Sequence, residues 1–418
     1  MEVQNYDYKT IVSNNNVTRV DFDPENNLEL YCYNECSNTD SSVLKRCRGL
    51  VFHDGKLVLS GFPYTDEFTE SNQQLRDRLN DFSNWRFFKA YEGTLIRVFY
   101  FGNRWFVSTN KKFDAFRSKW SSKLSFGDMF VEGLRRINML ENKKIEDNAL
   151  MGIFLASLNK DYQYMFLVRN NAENRIVCDA PSSDEHLIFH VGTFMRKENE
   201  TILNLDDVLQ GFSRSSELTF KSVDDVLTYV SNCDCKKTQG IIAFNKNNDQ
   251  IKIYNSEYHS LYKIRGNVPS IKFRYLSVRM DRNMVNKMYE LYPSHIETFE
   301  NYEKSLCNIA TIIHNMYIQR YVKHIHTVVP KEQFIIMQKC HNFYHTNPKK
   351  NIVTLKVVIN FLNDTPPSIL NKMIKDSTTD KNKQDFKHPR SVSNSLNNSP
   401  AILPVPHVLS SPVIRPLN

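Results

Sequence analysis

The pattern that decides the fold lies in two stretches, Arg48-Gly49-Leu50-Val51-Phe52 and Phe88-Lys89-Ala90-Tyr91-Glu92-Gly93-Thr94-Leu95-Ile96-Arg97. Both are rich in branched and aromatic residues, which is typical of β-strands. In the second stretch, Lys89 lies four residues before Gly93. Successive side chains of a strand point to opposite faces, so Lys89 and Ala90 face opposite sides. The register of this strand therefore decides where the lysine amine is placed.

Strands are also expected over residues 28–33, over 50–59 with an Asp54-Gly55 turn, over 162–168 and 175–178, and over 241–244 and 250–254, which would form a hairpin.

Further motifs follow the two quoted stretches in a defined order. They occupy residues 94–101 with a Gly102-Asn103 turn, then 105–109, 114–120, 165–169, 173–177, 239–242, 252–255 and 258–267. In this order, the motifs resemble the RNA ligase family of the phage RNA ligase 1 type, and more closely the ligase-like proteins of large DNA viruses. A single motif of this kind has little weight, whereas a series in the same order is more specific.

The resemblance implies an α+β fold, with an antiparallel, ATP-grasp-like covalent nucleotidyltransferase domain followed by a helical C-terminal domain. In this family a lysine attacks the α-phosphate of a nucleoside triphosphate and carries the nucleotide as a phosphoamide. Lys89 is the candidate nucleophile, but the family has one residue fewer between its lysine and glycine. Lys89 would face the nucleotide only if a β-bulge between it and Gly93 restored its direction.

The resemblance also implies a set of nucleotide contacts, which are Arg48, Glu92, Gly93, Arg97, Gln239 and Lys252. In the family the acidic residue meets the ribose, and the arginine and the lysine of the later strand lie near the phosphates. Gln239 stands where the family usually has a glutamate, and Tyr254 replaces a second lysine. One such group commonly contributes about a hundredfold to the rate. An altered but working site and a silent site therefore both stay open.

A group of basic residues follows the Gly102-Asn103 turn and comprises Lys111, Lys112, Arg117 and Lys119. Trp105 and Trp120 are close to them in the sequence. Lysine and arginine contact phosphates and aromatic rings stack on bases, so this surface could bind single-stranded RNA. The alternative is that both tryptophans belong to the core, because Trp is on average highly buried.

Length and charge agree with these interpretations. The 418 residues are enough for two or three domains. We predict a nucleotidyltransferase domain over 1–270, a helical domain over 271–376 and a disordered polar, proline-rich tail over 377–418. The 54 Lys and Arg residues exceed the 46 Asp and Glu residues, which gives a net charge of +8 and favours a polyanionic partner.

Metal and membrane signals are weak. The eight cysteines lack the spacing of a zinc site. The pairs His186 with His190 and His341 with His345 have helical spacing but no carboxylate companion, so helix-face histidines are the favoured interpretation. No apolar run approaches the roughly 20 residues of a membrane span, and the start does not resemble a signal peptide. A cytoplasmic protein is expected, in the host cytoplasm if the chain is viral, and its oligomeric state is not indicated.

Three functions remain. The first is an ATP-dependent RNA ligase that joins or repairs RNA ends, with ATP and magnesium as cofactors and Lys89 as nucleophile. The second is an inactive ligase-fold protein that binds nucleotide or RNA ends, and the third is a structural or assembly protein of a virus. The direction of the Lys89 amine relative to the Ala90 methyl group separates the first from the second.

Overall fold

A computed structural model describes residues 7–140, 145–197, 200–245 and 249–385. Its contacts divide the chain into two compact units, residues 1–304 with 365–368 and residues 305–364 with 369–418. Among the described residues, no helix has the length and apolar character that a bilayer span requires.

The first sheet is antiparallel and has the strand order β1-β2-β3-β4. Its strands are β1 (Val17–Asp23), β2 (Leu28–Tyr33), β3 (Arg48–His53) and β4 (Lys56–Leu59). Two short helices, α1 (Tyr8–Val12) and α2 (Ser42–Arg46), contribute to the core on one side of it. Asp54 and Gly55 have φ angles of 49° and 73° in the turn between β3 and β4. Left-handed angles at both positions suit a tight hairpin, so the hairpin predicted at Asp54-Gly55 is confirmed.

The next strands are β5 (Asp66–Thr69), β6 (Trp85–Ala90), β7 (Gly93–Phe101), β8 (Arg104–Ser108), β9 (Tyr162–Arg169), β10 (Ile188–Lys197), β11 (Glu200–Asn204), β12 (Glu217–Leu218), β13 (Gly240–Asn245) and β14 (Gln250–Tyr254). The second sheet has the order β11-β10-β9-β7-β8, and the third has the order β12-β6-β13-β14-β5. All pairs in these two sheets are antiparallel except β14 with β5. The predicted α+β class with antiparallel sheets is confirmed.

The hairpin predicted at Gly102-Asn103 joins β7 and β8, and both turn residues have positive φ angles, 55° and 66°. The hairpin predicted between β13 and β14 is also present. Its turn signal at residues 246–248 lies outside the described residues.

Helices cover the outer faces of the second and third sheets. The helix α3 (Gln74–Arg78) and the helix α6 (Val223–Ser231) pack on the third sheet, and α4 (Phe126–Leu140) and α5 (Asp147–Ala156) pack on the second. The inner faces of the two sheets share an aromatic core that contains Phe62, Phe88, Met165, Phe194 and Phe244. The two sheets therefore face each other, which leaves room for a cavity between them.

Helices follow the third sheet, as predicted. They are α7 (Ser256–Arg265), α8 (Ile271–Val278), α9 (Arg282–Leu291), α10 (Ile296–Tyr317), α11 (Lys331–Thr346), α12 (Leu355–Asn363) and α13 (Pro367–Asp385). The last helix extends to Asp385, so residues 377–385 are helical although they belong to the predicted tail. The rest of that tail, residues 386–418, lies outside the described residues.

Two local predictions are wrong. Residues 175–178 were expected to form a strand but form a loop, because the Glu92 carboxylate accepts the N–H groups that a neighbouring strand would otherwise bind. His186 and His190 do not share a helix, since His190 lies in β10. The segment from Ile188 alternates between the two faces of a sheet, and tertiary pairing with β9 decides its structure.

Candidate functional site

A cavity of about 550 Å³ lies between the inner faces of the second and third sheets. One wall is formed by residues of β6, β13 and β14, namely Phe88, Ala90, Ile242, Phe244, Gln250 and Lys252. The opposite wall is formed by residues of β7, β9 and β10, namely Leu95, Leu167, Phe189 and Val191. Arg48 at the start of β3 and Lys111 in the loop after β8 complete the lining. A cleft is therefore present between the second and third sheets.

The charge of this cavity has one sign. The basic residues that line it are Arg48, Lys111, Arg214 and Lys252, together with Lys89, whose amine points to the other face of the sheet, and no aspartate or glutamate is among the described lining residues. Arg214 forms ion pairs with Asp206 at 3.2 Å and with Glu217 at 3.3 Å. Arg48, Lys111 and Lys252 make no ion pair with any residue that the structure describes. Three cations without a carboxylate partner thus face one cavity.

Lys252 lies in the middle of β14, opposite Ile242 of β13 and Glu67 of β5. This register places its side chain on the cavity face of the third sheet. Burial lowers the pKa of the Lys252 amine, and the largest opposing influence is the negative charge of Glu67. Binding of an anion would favour the charged amine and offset the cost of its burial.

The guanidinium of Arg48 is positioned by a backbone group, since its Nη1 donates to the carbonyl oxygen of Pro63 at 3.0 Å. The next residue, Gly49, has a φ of 76°, and a Cβ atom there would lie 3.0 Å from Nη1 of Arg97 and 3.1 Å from Asn110. A residue with a side chain would be strained at this position and would disturb the cavity wall. Gly49 therefore allows Arg48 to approach the cavity beside Asn110.

Lys89 lies on the other side of the sheet. It pairs with Ile241 without a shift in register anywhere along β6 and β13. Ile241 belongs to the apolar core that contains Val226 and Val230 of α6. Burial raises the pKa of the Cys233 thiol, just after α6, and the positive charge of Lys89 is among the opposing influences. Both observations direct the Lys89 amine toward α6.

Ala90 occupies the cavity face that a nucleophilic lysine would need. Ala90 pairs with Gly240, and the neighbouring pair in the ladder is Lys89 with Ile241. The backbone of Lys89 still contributes to the wall, where its carbonyl oxygen accepts a hydrogen bond from Ser215 Oγ at 2.5 Å. The bulge on which a nucleophilic role for Lys89 depended does not occur within the paired segment.

Glu92 does not line the cavity. Its carboxylate is 4 % exposed and accepts hydrogen bonds from the backbone N–H groups of Ile176 at 2.9 Å, Val177 at 2.7 Å and Cys178 at 3.0 Å. Three charge-assisted bonds occupy both carboxylate oxygens. Glu92 therefore stabilises the loop after β9. The ribose contact implied by the resemblance has no support in this geometry.

Arg97 is fully buried and is also outside the lining. It lies on the same face of β7 as Leu95, but backbone groups cover it. Its guanidinium donates to the carbonyl oxygens of Gly49 at 2.5 Å and Thr109 at 3.0 Å. Burial without a carboxylate partner lowers the pKa of Arg97 to about 10. Arg97 thus joins β7 to the segments that carry Arg48 and Lys111.

The two remaining predicted contacts, Gly93 and Gln239, line the cavity. A Cβ atom on Gly93 would lie 2.3 Å from the carbonyl oxygen of Val168, so β9 approaches too closely for any side chain. Gln239 donates from Nε2 to the Tyr258 hydroxyl at 2.7 Å. Its Oε1 is buried and has no hydrogen-bond partner in the described part of the chain.

Comparison with known proteins identifies relatives of this chain. It is 30% identical over 401 residues to an immediate-early protein ICP-46 homolog of Invertebrate iridescent virus 6, which covers 90% of this chain and 87% of that protein. The chain belongs to the ICP-46 family. A homolog from Invertebrate iridescent virus 3 is 27% identical over 357 residues, covering 82% of this chain and 75% of its own length. The ICP-46 protein of Frog virus 3 is 27% identical over 284 residues, 64% of this chain and 66% of its own.

No protein-family model matches this ICP-46 family member. Solved structures with weak similarity include a putative ATP-dependent DNA ligase from Aquifex aeolicus, with a TM-score of 0.34, 10% identity and coverage of 91% of this chain and 79% of that one. An archaeal ATP-dependent RNA ligase has a TM-score of 0.37, 11% identity and coverage of 70% and 72%. The predicted similarity to proteins of large DNA viruses is confirmed, whereas the phage RNA ligase 1 type stays a prediction.

The four basic residues predicted to bind RNA have different environments in this ICP-46 family member. Lys111 is exposed at the cavity rim, and Arg117 and Lys119 are also exposed. Lys112 instead approaches Asp21 at 3.6 Å. Trp105 packs against the core of the second sheet, and Trp120 lies 4.9 Å from the Arg265 guanidinium. Lys112 and both tryptophans of the predicted RNA-binding surface therefore make contacts within the protein, whereas Lys111, Arg117 and Lys119 are exposed.

Sequence analysis missed several lining residues, chiefly Gln250, Asn110, Arg214 and Ser215. A signal existed for Gln250, because it precedes Lys252 by two residues on a predicted strand and so shares its face. Asn110, Arg214 and Ser215 lie outside named strands and gave no comparable signal.

Proposed function

We propose that this ICP-46 family member binds the phosphate groups of a nucleotide or of a 5′-phosphorylated RNA end in its cavity. We further propose that it does so without forming a covalent lysyl-nucleotide at Lys89. The observation that carries the proposal is a set of three cations, Arg48, Lys111 and Lys252, that have no carboxylate partner among the described residues and that line a cavity of about 550 Å³. No carboxylate is among the described residues of that lining.

Phosphate suits these cations for a physical reason. Arginine and lysine form charge-assisted hydrogen bonds to phosphate oxygens, and such bonds are about twice as strong as neutral ones. They gain further strength where water is excluded, because the local dielectric constant is lower than in bulk solvent. The three cations come from β3, the loop after β8 and β14, so a bound phosphate group would connect segments that are distant in sequence.

The direction of Lys89 argues against the ligase reaction at that residue. An amine on the α6 side of the third sheet is separated from a cavity ligand by the sheet itself. RNA joining through a lysyl-AMP would therefore require another lysine. RNA binding remains part of the proposal because a 5′-phosphorylated end offers the same phosphate chemistry as a free nucleotide.

Magnesium held by the protein does not fit the lining. Mg²⁺ sites in proteins rely on one or two carboxylates. The described lining residues offer amide and hydroxyl oxygens but no carboxylate, and the position of the family glutamate is occupied by Gln239. No group of three or more His, Cys, Asp or Glu residues suited to a metal ion occurs in the described part of the chain.

Titration calorimetry of the full chain with Lys252→Met tests phosphate binding. The ligands are ATP, a 5′-phosphorylated oligoribonucleotide and its 5′-hydroxyl counterpart. Loss of one charged hydrogen bond removes about 1.5–3 kcal/mol, so we expect affinity for the phosphorylated ligands to fall roughly tenfold or more. A preference for ATP or for the phosphorylated oligoribonucleotide distinguishes the two sources of phosphate.

Lys89→Met is the matched control, because it removes the same charge from the opposite face of the same sheet. We expect its affinities to stay within about twofold of the wild type, because this variant removes no charged hydrogen bond to a ligand in the cavity. Equal losses in both variants would contradict the proposal. Incubation with labelled ATP and magnesium, followed by denaturation, tests the covalent step. Covalent label in the wild type that disappears in Lys89→Ala would reject the non-covalent proposal and establish Lys89 as the nucleophile.

A further inference from the structure

Gln250 is the buried amide at the aromatic end of the cavity. Its side chain lines the cavity, and the residue is only 4 % exposed. Its Oε1 accepts a hydrogen bond from Thr65 Oγ1 at 3.1 Å. Its Nε2 is buried and has no hydrogen-bond partner among the described residues. A buried donor without a partner is rare in folded proteins and requires an explanation.

The surroundings of Gln250 suit a flat aromatic ligand. Gln250 pairs with Phe244 across the ladder, and the Phe244 ring lies 5.7 Å from Phe62 and 5.8 Å from Phe88. All three rings line the cavity. Aromatic rings attract other π-systems in offset or edge-to-face arrangements. A single amide donor within an aromatic end is the arrangement by which proteins orient a planar heterocycle.

Gln250 also has a fixed relation to the proposed phosphate contact. Gln250 and Lys252 are two residues apart on β14 and therefore point to the same face. Their Cα atoms are separated by roughly 6.6–6.8 Å along a regular strand. A ribose between a base at Gln250 and a phosphate at Lys252 can bridge such a spacing.

We propose that Gln250 reads the base of the bound nucleotide, with Nε2 donating to an acceptor on the base edge while the base lies against Phe62, Phe88 and Phe244. This inference rests on the proposed function, because the phosphate contact at Lys252 places the base. It extends that function from phosphate binding to recognition of a nucleobase.

The test compares nucleotides with a ligand that has phosphates but no base. Calorimetry measures the affinities of ATP, GTP, CTP, UTP and inorganic tripolyphosphate for the full chain and for Gln250→Leu. We expect the wild type to bind at least one nucleotide tenfold or more tightly than tripolyphosphate. We expect Gln250→Leu to lose that advantage while its affinity for tripolyphosphate stays within twofold, because a site built for a hydrogen bond loses discrimination with it.

Gln163→Leu is the matched control. Gln163 is also a buried glutamine, 2 % exposed, with one amide atom that has no partner in the described part of the chain. It does not line this cavity, so its replacement should leave the preference for nucleotides unchanged. Thermal unfolding verifies that each variant is folded, and Gln250→Met replaces Gln250→Leu if the latter is not.

The outcomes separate the two proposals. If a folded Gln250 variant keeps the full preference for nucleotides, base reading by Gln250 is rejected. If the wild type binds nucleotides and tripolyphosphate equally well, base reading is rejected and phosphate binding survives. If nucleotides, tripolyphosphate and the 5′-phosphorylated oligoribonucleotide all fail to bind, both proposals are rejected.

Discussion

The cavity wall differs from the buried residues just outside its lining, which lie behind the wall. Both regions contain charged side chains, but these side chains have different hydrogen-bond partners. Behind the wall, Glu92 accepts three backbone N–H bonds and Arg97 donates to two backbone carbonyl oxygens. At the wall, and among the residues that the structure describes, Lys252 has no carboxylate partner and the Arg48 guanidinium has one hydrogen bond, to a backbone carbonyl oxygen. All four belong to motifs that resemble one family. Motif membership therefore does not separate a residue that serves the fold from one that serves a ligand.

The hydrogen-bond partners do separate them. A buried charge whose terminal atoms bind the backbone, as the Glu92 carboxylate and the two Nη atoms of Arg97 do, stabilises the protein and has little left for a ligand. Nε of Arg97 is buried and has no hydrogen-bond partner among the described residues. A charge without a partner is costly unless a ligand offsets its desolvation. Removal of a residue behind the wall should thus affect stability, and removal of a residue at the wall should affect binding.

The largest effect is expected for Glu92→Ala. Its replacement leaves three backbone donors, at Ile176, Val177 and Cys178, without their acceptor. Each unsatisfied buried donor costs roughly 1–3 kcal/mol, so we expect a loss of about 4 kcal/mol in the free energy of unfolding. Urea denaturation measures it.

Glu173→Ala is the control for this variant, because Glu173 accepts a backbone bond from Lys123 in an exposed setting. Water can replace that bond, so the loss should be much smaller than for Glu92→Ala. A Glu92 variant with wild-type stability and weakened nucleotide binding would contradict the assignment of Glu92 to the residues that stabilise the fold.

A second effect concerns His190, which lines the cavity but has both ring nitrogens engaged. Nδ1 accepts from the Leu209 N–H at 3.2 Å, and Nε2 lies 3.2 Å from Thr193 Oγ1. Burial lowers the pKa of His190 from 6.5 to about 4. The unfolded chain therefore binds a proton below pH 6.5 that the folded chain does not bind until about pH 4, and stability falls as the pH falls through this window.

The lowered pKa of His190 should remove about 2 kcal/mol of stability between pH 7 and pH 5. Urea denaturation at both pH values measures this loss in the wild type and in His190→Gln, which cannot be protonated there. The variant should lose about 2 kcal/mol less than the wild type over the same interval. Identical pH dependence in both proteins would place His190 outside the group of residues that serve the fold.

The smallest effect is expected for Arg48→Gln, and it should appear in binding alone. We expect the affinity for tripolyphosphate to fall about tenfold, because one charge-assisted contact is lost. The urea midpoint should hardly change, since the Arg48 side chain makes one hydrogen bond within the described part of the chain. Arg117→Gln removes the same charge from an exposed position outside the lining and should affect neither property.

Local sequence signals predicted much of the fold. Alternating residues and glycine-containing turns located β2 and the hairpins at Asp54-Gly55 and Gly102-Asn103. These features depend on neighbours in the sequence, so a local pattern is sufficient. The sequence also predicted that the direction of Lys89 would depend on a bulge between it and Gly93, and β6 pairs with β13 from Trp85 to Ala90 without a shift in register.

The partners of the charged residues could not be predicted in the same way. Glu92 binds N–H groups 84 to 86 residues further along the chain. Arg97 binds a carbonyl group 48 residues earlier. Such contacts depend on how the sheets pack and leave no periodic signal in the sequence. For the same reason, the pattern of residues 175–178 suggested a strand where the structure has a loop.

The alternation of Lys89 and Ala90 has a genetic consequence. The strand β6 ends at Ala90 and β7 begins at Gly93, so only two residues connect them. A one-residue deletion or insertion that shifts the register of β6 would place Lys89 instead of Ala90 on the cavity face. Such a change would leave Arg48, Lys111 and Lys252 unaltered. The cavity wall can thus gain or lose a lysine amine through a single mutation in the gene, and no series of substitutions is needed.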